Sequence, residues 1–167
     1  MLGHYLGAVK VWQCPASTRP VTVAGVSQLR VRTVSLNCFM GSPVKSPVAT
    51  SYRRQGEVTR PSPAEALTFV DERVETINDG SFGMKWTFKE NDPGSWTLRD
   101  KPAIVHDRSG TLSFADGHVE THRWQEACTL DAARNDAVMP GNQDVLWMQQ
   151  RATWREASPS ANRLNRR

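Results

Sequence analysis

Residues 111–122, Thr-Leu-Ser-Phe-Ala-Asp-Gly-His-Val-Glu-Thr-His, constrain the fold of this chain more than any other stretch. Two short alternating runs flank Asp116-Gly117, and such a pair between alternating runs is the strongest short-range signal for a β-hairpin. A two-residue loop sets Ala115 opposite His118, Phe114 opposite Val119 and Leu112 opposite Thr121. Leu112, Phe114 and Val119 then share the buried face, while Thr111, Ser113, His118, Glu120 and His122 occupy the other.

Around this hairpin the chain reads as many short strands. Ten Pro and eleven Gly favour turns over long helices. Residues 21–23 and 29–36 alternate apolar and polar side chains, with Gly25 supplying the turn between them. The run 66–70, Ala-Leu-Thr-Phe-Val, is short enough for a buried strand. Residues 82–88 alternate through Phe82, Met84, Trp86 and Phe88, and 103–105 predict one further strand. Helices are expected at two ends. Leu2, Tyr5, Leu6, Val9 and Trp12 have helical spacing, stopped at Cys14-Pro15. In residues 144–155, Val145, Met148 and Ala152 form one apolar line. The pattern predicts an α+β domain over residues 1–155, built on an antiparallel sheet with a short N-terminal helix and a C-terminal helix.

Charge excludes one tempting class. The net charge of +4 suggests nucleic acid, but residues 151–167 hold five Arg against one Glu. The first 150 residues are balanced, sixteen basic against sixteen acidic. The basicity thus lies in residues 151–167, and the Ser-, Asn- and Ala-rich composition there predicts a solvated, disordered basic tail over residues 156–167. No nucleic-acid partner is expected. No run of eighteen apolar residues is present, so none of the sequence shown spans a membrane as a helix.

Several residue sets invite chemistry. Asp71, Glu72 and Asp79 crowd oxygen donors into a turn-rich stretch, which suits Ca²⁺, although the spacing is not that of an EF-hand. His118, Glu120 and His122 suggest zinc, but the two histidines would stand roughly 13 Å apart along a strand, too far to share one ion. His106 and Asp116 could form an acid–base pair. The favoured reading is structural: Asp116-Gly117 makes the turn and His106 ties the preceding loop to it. Cys14, Cys38 and Cys128 fit no zinc spacing. In an exported protein Cys14 and Cys38 could pair, a loop closure worth about 3 kcal/mol; three unpaired thiols are the alternative. Among six tryptophans, Trp86 and Trp124 read as core, while Trp96 and Trp154 could stack on sugars.

His106, nine residues and then Asp116-Gly117 resembles the H-X9-DG signature near the C-terminus of bacterial pseudopilin-like proteins. Five further segments resemble that family in the same order: 11–16 (Val-Trp-Gln-Cys-Pro-Ala), 30–37 (Arg-Val-Arg-Thr-Val-Ser-Leu-Asn), 69–73 (Phe-Val-Asp-Glu-Arg), 77–80 (Ile-Asn-Asp-Gly) and 144–151 (Asp-Val-Leu-Trp-Met-Gln-Gln-Arg). Together they cover roughly residues 5–155. The resemblance implies a pilin-like head of a type II secretion or related surface filament, periplasmic or at the cell surface, acting by assembly with other pseudopilin subunits and the secretion machinery rather than by catalysis. It implies no cofactor beyond a possible calcium, since some major pseudopilins bind calcium in a loop of the head. In that family residues near 12 are where a long N-terminal helix meets the head and membrane attachment runs through that helix. Residues 1–11 show neither the cleavage signature nor an apolar span, so the expectation is a head that is soluble as given, without its anchor. The alternatives are a secreted module binding carbohydrate or peptide and, less favoured, a metal-dependent hydrolase.

Overall fold

The computed structural model describes residues 6–43, 46, 48–131 and 137–155. Its centre is a five-stranded sheet. The strands are β3 (Val34–Asn37), β4 (Leu67–Asp71), β5 (Ser81–Phe82), β7 (Ser109–Phe114) and β8 (Val119–Arg123), in the order β5-β3-β4-β7-β8. Every pairing is antiparallel except β5 alongside β3. Two small ribbons accompany it: β1 (Val21–Val23) with β2 (Val26–Gln28), and β6 (Thr97–Leu98) with β9 (Ala137–Val138). The helices are one turn, α1 (Ala127–Leu130), and the longer α2 (Gln143–Ala152). The architecture is α+β, as the patterning predicts.

The two sheet faces differ. Leu67, Val70, Leu112 and Phe114 are buried and meet Phe39, Phe82, Met84, Trp124 and the α2 residues Val145, Met148 and Ala152 in one core. The α2 line is the one its helical spacing predicts. Asn142 caps the helix, its Oδ1 accepting from Val145 N at 3.0 Å. Buried Asn37 then fastens sheet to helix, donating from Nδ2 to the carbonyls of Leu67 and Ala152, each at 2.8 Å. The opposite face carries Val34, Phe69, Thr111 and Ser113, and the N-terminal segment crosses it.

The hairpin forms, but one residue out of the expected register. Ser113 pairs with Val119, Leu112 with Glu120 and Thr111 with Thr121. Phe114 N donates to His118 O and Gly117 N to Phe114 O, both at 3.0 Å, so the loop is the three residues Ala115-Asp116-Gly117. Only Gly117 in it has positive φ, +96°. This is the turn-plus-bulge loop, in place of the two-residue turn that needs two left-handed residues. A one-residue slip exchanges the faces of the whole strand. Val119 is therefore 62% exposed, while Glu120 and His122 lie on the core side. His122 is accommodated there by stacking on Trp147, ring centroids 3.9 Å apart.

Other expectations change for local reasons. Of the expected N-terminal helix, Leu6 is helical and a 3-10 turn follows at Val9–Trp12, while residues 1–5 lie outside the described residues. The run 29–36 becomes strand only from Val34; Gly25 does lie in a turn after β1, but the strand it leads into is β2, Val26–Gln28, ahead of the expected run. The expected strand 82–88 stops at Phe82, because side chains take the next amides: Gly83 N donates to Asp100 Oδ2 and Met84 N to Cys38 Sγ. Met84 and Phe88 still reach the core, from irregular backbone beyond the strand. Residues 103–105 form no strand, although Ala103 N donates to the Asp71 carbonyl at 2.7 Å. The basic tail, 156–167, lies outside the described residues.

Candidate functional site

Three parts of the chain meet at the C-terminal end of β4, on the sheet face away from the core. Asp71 is the last residue of that strand and points to the same face as Phe69. Cys14 follows the Val9–Trp12 turn and is held by two bonds to the residue preceding β3. Thr33 N donates to Trp12 O at 2.7 Å, and Cys14 N donates to Thr33 Oγ1 at 2.8 Å. Packing of the Trp12 ring on Phe69, 5.9 Å between centroids, orients the segment. His106 comes from the turn entering β7. Asp107 and Arg108 both adopt left-handed backbone there, at φ 52° and 63°. Two consecutive non-glycine residues in that region cost about 1–2 kcal/mol each. The turn is pinned from outside, because Trp124 N donates to Arg108 O at 3.0 Å and Arg123 Nη1 donates to Asp107 Oδ2, also at 3.0 Å.

The result is a convergent set of donors. Cys14 Sγ lies 3.2 Å from His106 Nε2, which is 3.9 Å from Asp71 Oδ2. All three donor atoms fall within 4.8 Å of one another, the sole such trio of Cys, His and carboxylate groups among the described residues. Asp71 is 3% exposed, and neither of its oxygens accepts a hydrogen bond of normal geometry. Burial pushes its pKa up, with the nearby Thr33 hydroxyl and Cys14 thiol pulling the other way. Burial also raises the Cys14 thiol, and the Asp71 charge adds to that. Beside the trio runs an apolar groove of about 590 Å³, walled by Val11, Trp12, Val34, Phe69 and Val119.

The arrangement is not that of a thiol–imidazole–carboxylate relay. A relay needs the carboxylate on the ring nitrogen opposite the nucleophile; here one nitrogen, Nε2, faces both Cys14 and Asp71. A raised thiol pKa is likewise the reverse of what an activated cysteine requires. Three donors facing a common point can instead share an ion.

The expected residue groupings mostly separate. Asp71 and Glu72, adjacent in the chain, face opposite sides of the sheet. Glu72 is 1% exposed and bound by the hydroxyls of Ser35 and Thr76, and burial raises its pKa to about 7. Asp79 accepts from Ser81 N at 2.7 Å at the surface. The calcium grouping of Asp71, Glu72 and Asp79 is therefore not assembled. Cys14 and Cys38 are both free, Cys38 being engaged with Met84 N, so the candidate disulfide does not form. His106 and Asp116 stand at opposite ends of β7, which rules out an acid–base pair between them. Asp116 serves the loop, accepting from His118 N at 3.1 Å and meeting His118 Nδ1 at 2.7 Å. His118 stacks on Phe114 and His122 on Trp147, leaving no shared metal position with Glu120. Trp96 is core, 3% exposed, with Nε1 donating to Lys89 O, whereas Trp154 is 42% exposed beneath Arg60.

The trio itself has no local sequence signal. Its members are 35 to 92 positions apart, and Asp71 sits in an acidic run that suggests a different ion. No family model, curated protein or solved structure matches the chain.

Proposed function

We propose that this chain is the globular head of a pilin-like filament subunit that acts by assembly. The observation that carries the reading is an exposed apolar strip at the segment the resemblance assigns to the assembling helix. Leu6 is 39% exposed, Val9 65% and Val11 54%, immediately before Trp12 anchors the chain to the sheet. Apolar side chains left in water in a row mark a contact surface. The balanced charge of the first 150 residues suits packing among like subunits better than binding of a polyanion. Catalysis is not needed to explain the hairpin, whose Asp116 and Gly117 are occupied in making the turn.

Photo-crosslinking from Val9 and from Val11 in the producing cell tests this. The expected result is a ladder of products containing other filament subunits. The purified chain alone should be a monomer or weak dimer by light scattering. A secreted binding module is the second reading, favoured only by exposed Trp154. It predicts no ladder and retention on polysaccharide that Trp154→Ala abolishes, and that outcome would overturn the filament assignment.

A further inference from the structure

We infer that Cys14, Asp71 and His106 bind a zinc-class divalent cation, which clips the N-terminal segment to the sheet. The geometry is the first support. Zinc bonds of about 2.3 Å to sulfur and about 2.0–2.2 Å to nitrogen or oxygen place tetrahedral donors roughly 3.3–3.7 Å apart. The observed 3.2 Å from Cys14 Sγ to His106 Nε2 and 3.9 Å from Nε2 to Asp71 Oδ2 bracket that range. The second support is Asp71 itself. A carboxylate only 3% exposed, with neither oxygen accepting a hydrogen bond of normal geometry, is costly unless a cation or strong donor faces it. The groups near it are the Thr33 hydroxyl, the Cys14 thiol and, 3.9 Å away, a His106 ring nitrogen already shared with that thiol.

Donor chemistry selects the ion. One thiolate, one imidazole and one carboxylate form a mixed sulfur–nitrogen–oxygen set, which suits zinc and its neighbours and disfavours calcium or magnesium. Thiolate and carboxylate together offset a 2+ charge, so the loaded site is neutral. Binding releases the Cys14 thiol proton to solvent as the sulfur–metal bond forms. Three protein ligands leave a fourth position on the groove side, which water fills.

The three ligands come from the N-terminal segment, the end of β4 and the turn before β7. One ion thus fastens residues 6–14 to two central parts of the sheet. Without it that segment is held by the two hydrogen bonds at Thr33, the Cys14–His106 contact and the Trp12–Phe69 packing. The inference does not depend on the filament reading, because it concerns only how the segment is attached.

The test uses the full chain, stripped with a chelator and titrated with Zn²⁺ or with Co²⁺ as a spectroscopic probe. One equivalent of Co²⁺ should produce a thiolate-to-cobalt charge-transfer band. Zn²⁺ at a hundredfold excess over Kd should raise Tm by about 5–10 °C, whereas millimolar Ca²⁺ should not. Zinc should also slow amide exchange in residues 6–13 relative to β7. Cys14→Ser should remove the charge-transfer band, and Asp71→Asn and His106→Gln should each weaken binding at least tenfold. The band should survive in His118→Ala and Cys128→Ser. If Asp71→Asn fails to fold, the cysteine and histidine variants, at half-buried positions, still decide the matter. A band that persists in Cys14→Ser, or no band and no Tm response in the unmodified chain, would overturn the site.

Discussion

At the scale of single residues, two glycines test different physics. Gly117 has φ +96°, and a Cβ added to it would meet no atom within 4 Å, so substitution there meets only backbone strain. Gly117→Val should cost about 1–3 kcal/mol in chemical denaturation, and Gly117→Asn less, because asparagine tolerates left-handed backbone. Gly110 is the opposite case. A Cβ there would sit 2.8 Å from the Ala103 carbonyl, the acceptor for the buried Trp124 indole. Gly110→Ala should therefore destabilise by about 1–3 kcal/mol through overpacking, and an unchanged midpoint would mean that this contact gives way freely. Glu72 supplies the pH dependence. Its carboxyl titrates near 7 when folded, against about 4.3 in an unfolded chain. The folded state therefore holds a proton between these values that the unfolded state has released. Its contribution is full below about pH 4 and is lost as pH rises towards 7, on the order of 3 kcal/mol in all. Glu72→Gln keeps groups for Ser35 and Thr76 and should flatten the fall in stability between pH 5 and 7.

The central hairpin is the element on which loop type has the largest consequence. Had Asp116-Gly117 formed a two-residue turn, Val119 would belong to the core. The three-residue loop instead leaves Val119 exposed and buries Leu112 opposite Glu120. Val119→Thr should then change stability by less than about 0.5 kcal/mol, whereas Leu112→Ala should cost about 2–5 kcal/mol. Equal losses from the two would restore the expected register. The slip also explains the stacking of His122 on Trp147. Burial in that stack lowers the His122 pKa, with the charges of Asp144 and Glu120 opposing the shift. A ring kept neutral in this way contributes stability above its unfolded pKa and loses it on acidification, opposite in sign to Glu72.

Across the whole molecule, stability should be uneven. β4 and β7 are flanked by strands on both sides and contribute Leu67, Val70, Leu112 and Phe114 to the core. The β1–β2 ribbon contributes no buried residue, and Val23 and Val26 are 50% and 61% exposed. Native-state amide exchange should thus be slowest in β4 and β7, near the global unfolding limit, and fastest in β1–β2. Comparable protection in the ribbon would mean that it is covered by a surface outside the described residues.

Local chemistry was legible in the sequence wherever one short stretch carries the whole signal. The Asp-Gly turn, the β4 run, the 3.6-residue line of α2 and a turn at Gly25 each depend on neighbours within about ten residues. What depended on packing was not legible. Loop length at Asp116-Gly117 rests on contacts outside the loop, Ala115 N to the Ala66 carbonyl and Asp116 N to the Pro63 carbonyl. The alternation after Phe82 was real as burial but not as a strand, because Asp100 and Cys38 intercept the amides. The pairing of Asp71 with Cys14 and His106, rather than with Glu72 and Asp79, follows from strand geometry: adjacent residues point to opposite faces. Sequence proximity brings charges together along the chain, but the sheet sorts them by face, and only the folded chain decides which distant donors share the side to which each is sent.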